Sequence, residues 1–373
     1  MPRELIAVAP RQPELREFEP PPLGPTQLRI QTEFASPKHG TELIDYRDEP
    51  AANRPYDRDW GAIQPHPPRT GRDRFPIPLG NMAVGVVTET GARVSRFKRG
   101  DRVFGHFPIR EVQTADESQV TLLSPGLRPE AVVCLDPVVM ALAVRDANPK
   151  LGDHVAVFGL GAIGLFVVQL ARLAGAAKII ALDPIASRRD LALGFGADVA
   201  LDPLANGGDA GLAIRQISGF PDRVTSHPVE RVRILAGYWE EPTQTSQRGV
   251  DVAIECSGSS QALHQAIRAT RFGGTVGVIS FYGGDAAGLR LGEEFHVNRV
   301  KLVSARAQSL PLIDAPAWTL ERLTELGLDW LAAGRLRTEG IVTPVVPFEQ
   351  SVEAYREIDE HPERSIKLGI RFG

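Results

Sequence analysis

Two patterns of hydrophobic and polar residues follow one another along the chain. In residues 1–130, short stretches of alternating apolar and polar positions lie between prolines and glycines, and this pattern predicts β-strands. The clearest of these strands are Gln27–Phe34 and Met82–Val94, the second broken by a turn at Gly91. Tyr46–Pro78 lies between them without periodicity, which predicts a long surface excursion of the kind that often carries function.

Beyond residue 137, short apolar strands alternate with helices. The expected strands are His154–Phe158, Lys178–Leu182, Asp198–Leu201, Val250–Glu255 and Thr275–Ser280. One helix follows the first strand and ends at Gly175, a second begins with a capping box of Ser187 and Asp190, and a third covers Ser260–Thr270. Alternation of this kind predicts a parallel sheet that helices cover on both faces.

From Ser309 onward, the last part of the chain again mixes strand-like and helix-like patterns. It predicts helices at Leu320–Ala333 and Gln350–Glu360, and we expect it to rejoin the N-terminal region. The sequence therefore predicts an α/β protein with a β-rich domain, residues 1–136 and 309–373, and a doubly wound parallel-sheet domain, residues 137–308. Ser218–Arg248 is longer than such a domain needs, and we expect a surface insertion or a cover for a cofactor.

Composition and charge narrow the class of protein. The 373 residues are 43% hydrophobic and 24% charged, with a formal net charge of −4. This balance predicts no nucleic-acid partner, and no apolar run reaches the roughly 18 residues of a membrane span. The N-terminus has no signal-peptide core, so we expect a cytoplasmic protein. Cys134 and Cys256 lie in apolar runs and are expected to be buried and inert.

A glycine motif gives the strongest functional signal. It reads Gly159-Leu-Gly161-Ala162-Ile163-Gly164, and it follows an apolar strand and opens an apolar helix, the context that a dinucleotide site requires. The first glycine permits a tight turn, the second lets a pyrophosphate approach the backbone, and the third lets helix and strand pack closely. The helix N-terminus would then offer N–H groups to the phosphates.

Polar residues at later strand ends refine the cofactor prediction. Asp183 ends the second strand, nineteen residues after Gly164, where a carboxylate would accept hydrogen bonds from the adenosine ribose and repel a 2′-phosphate. We therefore predict NAD(H) as the cofactor. Arg188 lies close enough to Asp183 in the sequence to permit some binding of NADP. Ser257 and Ser280 follow later strands at the same sheet edge and are predicted to contact the cofactor.

Taken together, these motifs resemble the medium-chain dehydrogenase/reductase superfamily, in particular its zinc alcohol and sorbitol dehydrogenases. The resemblance covers nearly the whole chain and rests on Ser36–Glu42, Gly80–Val87, Arg99–Val103, Asp136-Pro137, the glycine motif, Gly249–Gly258 and Lys367. It implies a GroES-like catalytic domain built from both chain ends, a central Rossmann domain, and an NAD(H)-dependent oxidoreductase.

The chain departs from this family at the positions of the zinc ligands. His39 stands where the family has a cysteine, Asn81 where it has the histidine of a Gly-His-Glu motif, and Asp136 at the third ligand position. Such a set is a poor tetrahedral zinc site, because an amide oxygen donates weakly compared with imidazole or thiolate. Phe104–Gln119 contains no cysteine for the family's structural zinc lobe. These departures from the family imply an enzyme with no metal site, and a zinc cofactor is therefore doubtful.

Without zinc, another group must handle the proton of the substrate. Thr41 matches the family's proton-relay hydroxyl, and His39 is predicted to be the general acid/base, with Asp136 orienting it or raising its basicity. The alternative is that His39 forms a hydrogen bond within a loop and has no chemical role.

Arginines and aspartates alternate in Tyr46–Arg74, which suits a polyhydroxylated or anionic substrate or, alternatively, a self-neutralising surface. We expect hydride transfer to or from a sugar, cyclitol or polyol, in a homodimer or homotetramer. One rival function is a zinc-free, NADPH-dependent enone or quinone reductase, which Asp183 disfavours. Another is a catalytically inactive nucleotide-binding protein, which the retained Thr41, His39 and Asp136 disfavour.

Overall fold

A computed structural model describes residues 1–49, 56–63, 74–218, 248–306, 308–309 and 313–373. The chain folds into two compact units, one formed by Met1–Asp136 with Leu328–Gly373 and the other by Pro137–Gly327. Most of the predicted insertion at residues 218–248, and parts of the excursion at residues 46–78, lie outside the described residues.

The N-terminal part of the first unit is mainly β-structure. Its strands are β1 (Arg3–Ala9), β2 (Gln12–Glu17), β3 (Gln27–Ser36), β4 (Tyr56–Asp57), β5 (Ala62–Ile63), β6 (Ile77–Pro78), β7 (Met82–Thr90), β8 (Arg102–Gly105), β9 (Val112–Asp116) and β10 (Thr121–Leu122). Its helices are α1 (His39–Tyr46), α2 (Pro129–Val132) and the start of α3 (Leu135–Leu142), which continues into the second unit.

The second unit alternates strands and helices. In chain order they are β11 (His154–Phe158), α4 (Ala162–Leu173), β12 (Lys178–Leu182), α5 (Ala186–Gly194), β13 (Val199–Leu201), α6 (Ala210–Ile217), β14 (Val250–Glu255), α7 (Ser260–Ala269), β15 (Thr270–Val278) and β16 (Lys301–Ser304). The chain then returns to the first unit through α8 (Leu320–Ala332), β17 (Val342–Pro347), α9 (Ser351–Glu360) and β18 (Lys367–Arg371).

The main sheet of the first unit forms around β3. This strand pairs antiparallel with β7, β9 and β18, and the sheet has the order β10-β8-β7-β3-β18-β17. Leu28 and Ile30 alternate with more exposed neighbours along β3 and enter an apolar core that also contains Tyr355 and Leu368. The C-terminal segment therefore rejoins the N-terminal one because both supply the same core.

The second unit contains a six-stranded parallel sheet in the order β13-β12-β11-β14-β15-β16. This confirms the α/β prediction, and the near-continuous burial of Val155–Phe158 fits a strand with both faces covered. Strand order reverses between β11 and β14, and open sheets of this kind bind ligands in the crevice beyond the carboxyl ends at such a point.

Helix ends test the capping predictions. Gly175, with φ of +87°, follows the end of α4, as predicted. The capping box at Ser187 is wrong, because α5 begins after Ile185 and no side chain caps it. The Asp183 carboxylate accepts the Ile185 N–H instead, so the preceding strand end stabilises the start of this helix. In the described part of the chain, no helix has the length and apolar character to cross a membrane.

Candidate functional site

Three glycines form a tight turn between β11 and α4 in the second unit. Gly159 has φ of +87°, which favours glycine, and a Cβ there would lie 2.7 Å from the Cβ of Ser257. A Cβ on Gly164 would lie 1.8 Å from the Gly159 carbonyl oxygen. Both positions therefore need glycine for packing within the protein.

Gly161 differs from the other two because a Cβ there would meet no atom within 4 Å. It is the N-cap of α4, and no side chain caps the helix. Ala162 and Ile163, both partly exposed, begin the first turn, where backbone N–H groups lack intrahelical acceptors. This arrangement leaves room for an anion at the helix N-terminus, as a pyrophosphate requires.

Asp183 lies beside this turn, at the end of β12, and only 3% of its surface is exposed. Its Oδ2 accepts the Leu160 N–H at 2.8 Å and its Oδ1 accepts the Ile185 N–H at 2.9 Å. The carboxylate thus holds the glycine turn and the start of α5 together. Each carboxylate oxygen has a second lone pair, so it can still accept a bond from a ribose hydroxyl.

Two arginines of α5 fold back onto the same turn. Arg188 Nη1 lies 3.7 Å from Asp183 Oδ2. Arg189 Nη1 donates to the carbonyl oxygens of Asp183 and Pro184, at 2.7 and 2.9 Å. The positive charge near Asp183 is therefore already engaged in holding the turn.

Glu255, which ends β14, is fully buried, and no role was predicted for its side chain. It accepts hydrogen bonds from the hydroxyl groups of Ser257, Ser280 and Tyr282, the last at 2.5 Å. Burial, reinforced by Glu255, raises the pKa of Tyr282 above its ordinary value. Ser257 and Ser280, predicted to contact a cofactor, thus fix the loops after β14 and β15 through one carboxylate.

In the first unit, β18 holds the segment that joins β3 to α1. Ser36 Oγ donates to the Leu368 carbonyl oxygen at 2.7 Å, and the Leu368 N–H donates to His39 Nε2 at 2.9 Å. Lys367 Nζ donates to the Pro37 carbonyl oxygen at 3.0 Å. Lys367 and Leu368 of β18 therefore fix the backbone before Lys38 and the side chain of His39, which follows it.

A second anchor for this segment is Glu42, in α1. Its carboxylate accepts the backbone N–H groups of Lys38 at 2.8 Å and Gly80 at 2.6 Å, and the Tyr355 hydroxyl at 2.7 Å. Burial raises the pKa of Glu42, while these donors act in the opposite direction. Glu42 thereby joins the start of α1, the loop before β7 and helix α9.

Lys38 and Asp136 form an ion pair that the sequence reasoning did not foresee. Lys38 Nζ lies 3.1 Å from Asp136 Oδ1, and the two side chains are 21% and 8% exposed. Lys367 belongs to the same group of charges, and burial lowers its pKa while Asp136 and Glu42 oppose that effect. A partly exposed ammonium is thus fixed by a nearly buried carboxylate.

The residues at the three zinc-ligand positions, His39, Asn81 and Asp136, do not fit a zinc ion. His39 Nε2 already accepts a backbone N–H, and Asp136 holds an ammonium. The backbone N–H of Asn81 donates to the carbonyl oxygen of Ser36, at the end of β3. Its side-chain nitrogen Nδ2 is buried and has no hydrogen-bond partner among the described residues. Within that part of the chain, no three His, Cys, Asp or Glu side chains come together in a way that could hold a metal.

Thr41, the predicted relay residue, is exposed in the first half of α1. Arg47 and Arg74, two of the three described arginines in the predicted substrate excursion, are paired within the protein. Arg74 contacts Asp45 at 2.5 Å and Asp48 at 3.4 Å, and Arg47 contacts the buried Asp359 at 2.5 Å. Arg58 is exposed, and Arg54, Arg69 and Arg72 lie outside the described residues.

Both cysteines are free thiols. Cys134 is fully buried, and burial raises its pKa to about 12. Cys256 is only partly buried, so the prediction of burial is wrong for this residue, although desolvation still raises its pKa well above its ordinary value. Neither thiol is therefore set up to act as a nucleophile, in agreement with the prediction that both are inert.

No individual role was predicted for Lys38, Glu42, Glu255, Tyr282 or Tyr355. Glu255 carried a local signal, since a carboxylate that ends an apolar strand and precedes Cys-Ser-Gly must find donors nearby. Lys38 and Glu42 lie within a recognised motif, but their partners Asp136 and Tyr355 are 98 and 313 residues away. No periodicity in the sequence indicates such pairings.

Both units of the chain match families of known proteins. Residues 56–134 match the family described as alcohol dehydrogenase GroES-like domain, and residues 162–314 match the family described as zinc-binding dehydrogenase. The chain is 36% identical to a D-guloside 3-dehydrogenase of Escherichia coli K12, over 99% of this chain and all of the relative.

More distant relatives agree with this placement. An (R,R)-butanediol dehydrogenase of Bacillus subtilis is 26% identical over 77% of each chain. The crystal structure of an Escherichia coli oxidoreductase/dehydrogenase of unknown specificity superimposes with a TM-score of 0.74 at 17% identity and covers all of both chains. The structural likeness supports the fold alone.

Proposed function

The chain belongs to the medium-chain dehydrogenase/reductase superfamily, and we propose that it oxidises a secondary hydroxyl group of a sugar or polyol to a ketone with NAD as hydride acceptor. The D-guloside 3-dehydrogenase, similar to the chain over nearly its whole length, is the observation that carries this proposal. It supports a ring hydroxyl of a hexoside as the group oxidised.

The glycine turn and Asp183 support the choice of cofactor. The open space at Gly161 and the uncapped start of α4 suit a pyrophosphate. The Asp183 carboxylate would repel a 2′-phosphate, and Arg188 and Arg189 already contact Asp183 and its turn. When bound, NAD would supply the hydride acceptor for the carbinol carbon of the substrate.

The proton of the substrate hydroxyl is assigned to Thr41. Its exposed position lets a hydroxyl group pass the proton on to water. His39 is assigned an anchoring role in place of the general acid/base role expected from the sequence, because its Nε2 already accepts the Leu368 N–H. Catalytic zinc has no part in this proposal, because the residues at the ligand positions do not fit it.

The test is turnover by purified protein after dialysis against a chelator. Methyl glycosides of D-gulose, D-glucose and D-galactose, together with sorbitol, are offered with NAD or NADP, and reduced cofactor is followed by fluorescence. We expect oxidation of at least one glycoside with NAD and less than one zinc per chain. No turnover with any of these alcohols, or reduction of enones by NADPH instead, would overturn the proposal.

A further inference from the structure

We propose that Lys38 is a catalytic residue, whose ammonium group binds the substrate oxygen and stabilises the alkoxide in the role that zinc has in related enzymes. This inference rests on the proposed function. It is carried by the ion pair with Asp136 at one of the zinc-ligand positions, and by the neighbours that fix Lys38.

The geometry of Lys38 suits an oxygen ligand. A lysine ammonium has three N–H donors, and one of them is directed to Asp136 Oδ1 at 3.1 Å. The described residues supply no acceptor for the other two, and the side chain is 21% exposed, so a substrate can reach it. Asp136 is only 8% exposed and therefore holds the ammonium in place with little competition from water.

The backbone around Lys38 is fixed before any ligand arrives. Its N–H donates to Glu42, the carbonyl oxygen of the preceding Pro37 accepts from Lys367, and the side chain of the following His39 accepts from Leu368. A charge held in place by its surroundings needs little reorganisation when an alkoxide develops, which is how preorganised donors accelerate such steps.

Asn81 adds an independent indication of a ligand. Its backbone N–H bonds to Ser36, two residues before Lys38, and its buried amide nitrogen has no acceptor among the described residues. Buried amide donors are normally paired, and a substrate hydroxyl group would pair this one.

The step balances with the cofactor as the only oxidant. The carbinol C–H bond breaks and its electron pair leaves as hydride to NAD, while the hydroxyl proton leaves through Thr41 to water. The alkoxide electron pair then forms the carbonyl bond. Lys38 takes no part in the proton transfer and stabilises the oxygen while it carries negative charge.

The test compares Lys38→Met with the wild-type protein and with Arg16→Met. Arg16 is a suitable control because it also pairs a partly exposed cation with a nearly buried carboxylate, Glu4, at 2.7 Å. We expect kcat to fall about 10²–10³-fold in Lys38→Met, with the Kd for NAD and the kcat of Arg16→Met unchanged. A wild-type kcat in Lys38→Met would overturn the inference and leave the proposed function intact.

A second experiment restores the charge. Lys38→Cys is alkylated with 2-bromoethylamine, which rebuilds an ammonium side chain of nearly the same length, while the pKa values of Cys134 and Cys256 keep these thiols unreactive. We expect alkylation to recover most of the lost kcat, and failure to do so in a protein that still binds NAD would overturn the inference.

If an unpaired Asp136 prevents folding of Lys38→Met, the double variant Lys38→Met, Asp136→Asn removes both charges. A wild-type kcat in that variant would likewise overturn the inference, and a loss of about 10²–10³-fold with the Kd for NAD unchanged supports it. Absence of turnover in the wild-type protein would overturn the proposed function and the inference together.

Discussion

His39 Nε2 accepts a hydrogen bond of 2.9 Å from the backbone N–H of Leu368, 329 residues further along the chain. A neutral imidazole that accepts at Nε2 carries its proton on Nδ1, so Nε2 can take up a proton only if this bond is lost. The contact fixes His39, the first residue of α1, to β18, so His39 has a structural role at this position.

His39→Gln and His39→Ala separate an anchor from a general acid/base. A glutamine oxygen can accept the Leu368 N–H, so we expect His39→Gln to keep most of its kcat. His39→Ala leaves that N–H without its partner and should lose about 1–3 kcal/mol of stability, measured by chemical unfolding. A kcat loss of about 10²–10⁴-fold in a folded His39→Gln would instead support the acid/base role expected from the sequence.

Gly161→Val and Gly164→Ala should fail for different reasons. A side chain at Gly161 meets no protein atom within 4 Å, so the variant should fold normally and lose NAD binding because the side chain fills the phosphate space. A Cβ at Gly164 would clash with Gly159, and overpacking of this kind costs about 1–3 kcal/mol. Thermal unfolding and calorimetric titration with NAD measure the two effects, and wild-type affinity in Gly161→Val would contradict the site.

Asp183→Ala should weaken NAD binding and reduce the preference for NAD over NADP. The variant loses a charged acceptor for the ribose, worth about 1.5–3 kcal/mol, which corresponds to about 10–150-fold in Kd. It also loses the bonds to Leu160 and Ile185, so Tm should fall as well. Calorimetry with both cofactors decides the matter, and an unchanged ratio of the two Kd values would show that Asp183 does not face the ribose.

Alkylation tests the burial of the thiols. Because burial raises the pKa of Cys134 to about 12, this residue stays almost entirely in its thiol form near neutral pH, and the thiolate is the nucleophile. We expect iodoacetamide at neutral pH to modify neither cysteine in the folded protein and both in denaturant, as counted by mass spectrometry. Modification of native Cys134 at neutral pH would mean that its surroundings open readily.

Local sequence was sufficient where a feature is local. The turn at Gly159–Gly164 could be predicted because the strand, the glycines and the helix are contiguous, so steric limits on a few adjacent residues fix the conformation. The parallel sheet followed from strands whose apolar residues require cover on both faces. In the same way, Asp183 was placed beside the turn because it ends the neighbouring strand.

Only the tertiary structure decided how the polar residues of the first unit combine. The sequence offered Thr41, His39 and Asp136 as a catalytic set, yet folding directs Lys38 to Asp136 and the Leu368 N–H to His39. Hydrogen bonds and ion pairs carry no periodic signal, and their partners are chosen by which strands share a core. Because β3 and β18 pair in one sheet, residues from the two ends of the chain meet, and that meeting gives Lys38 its fixed position.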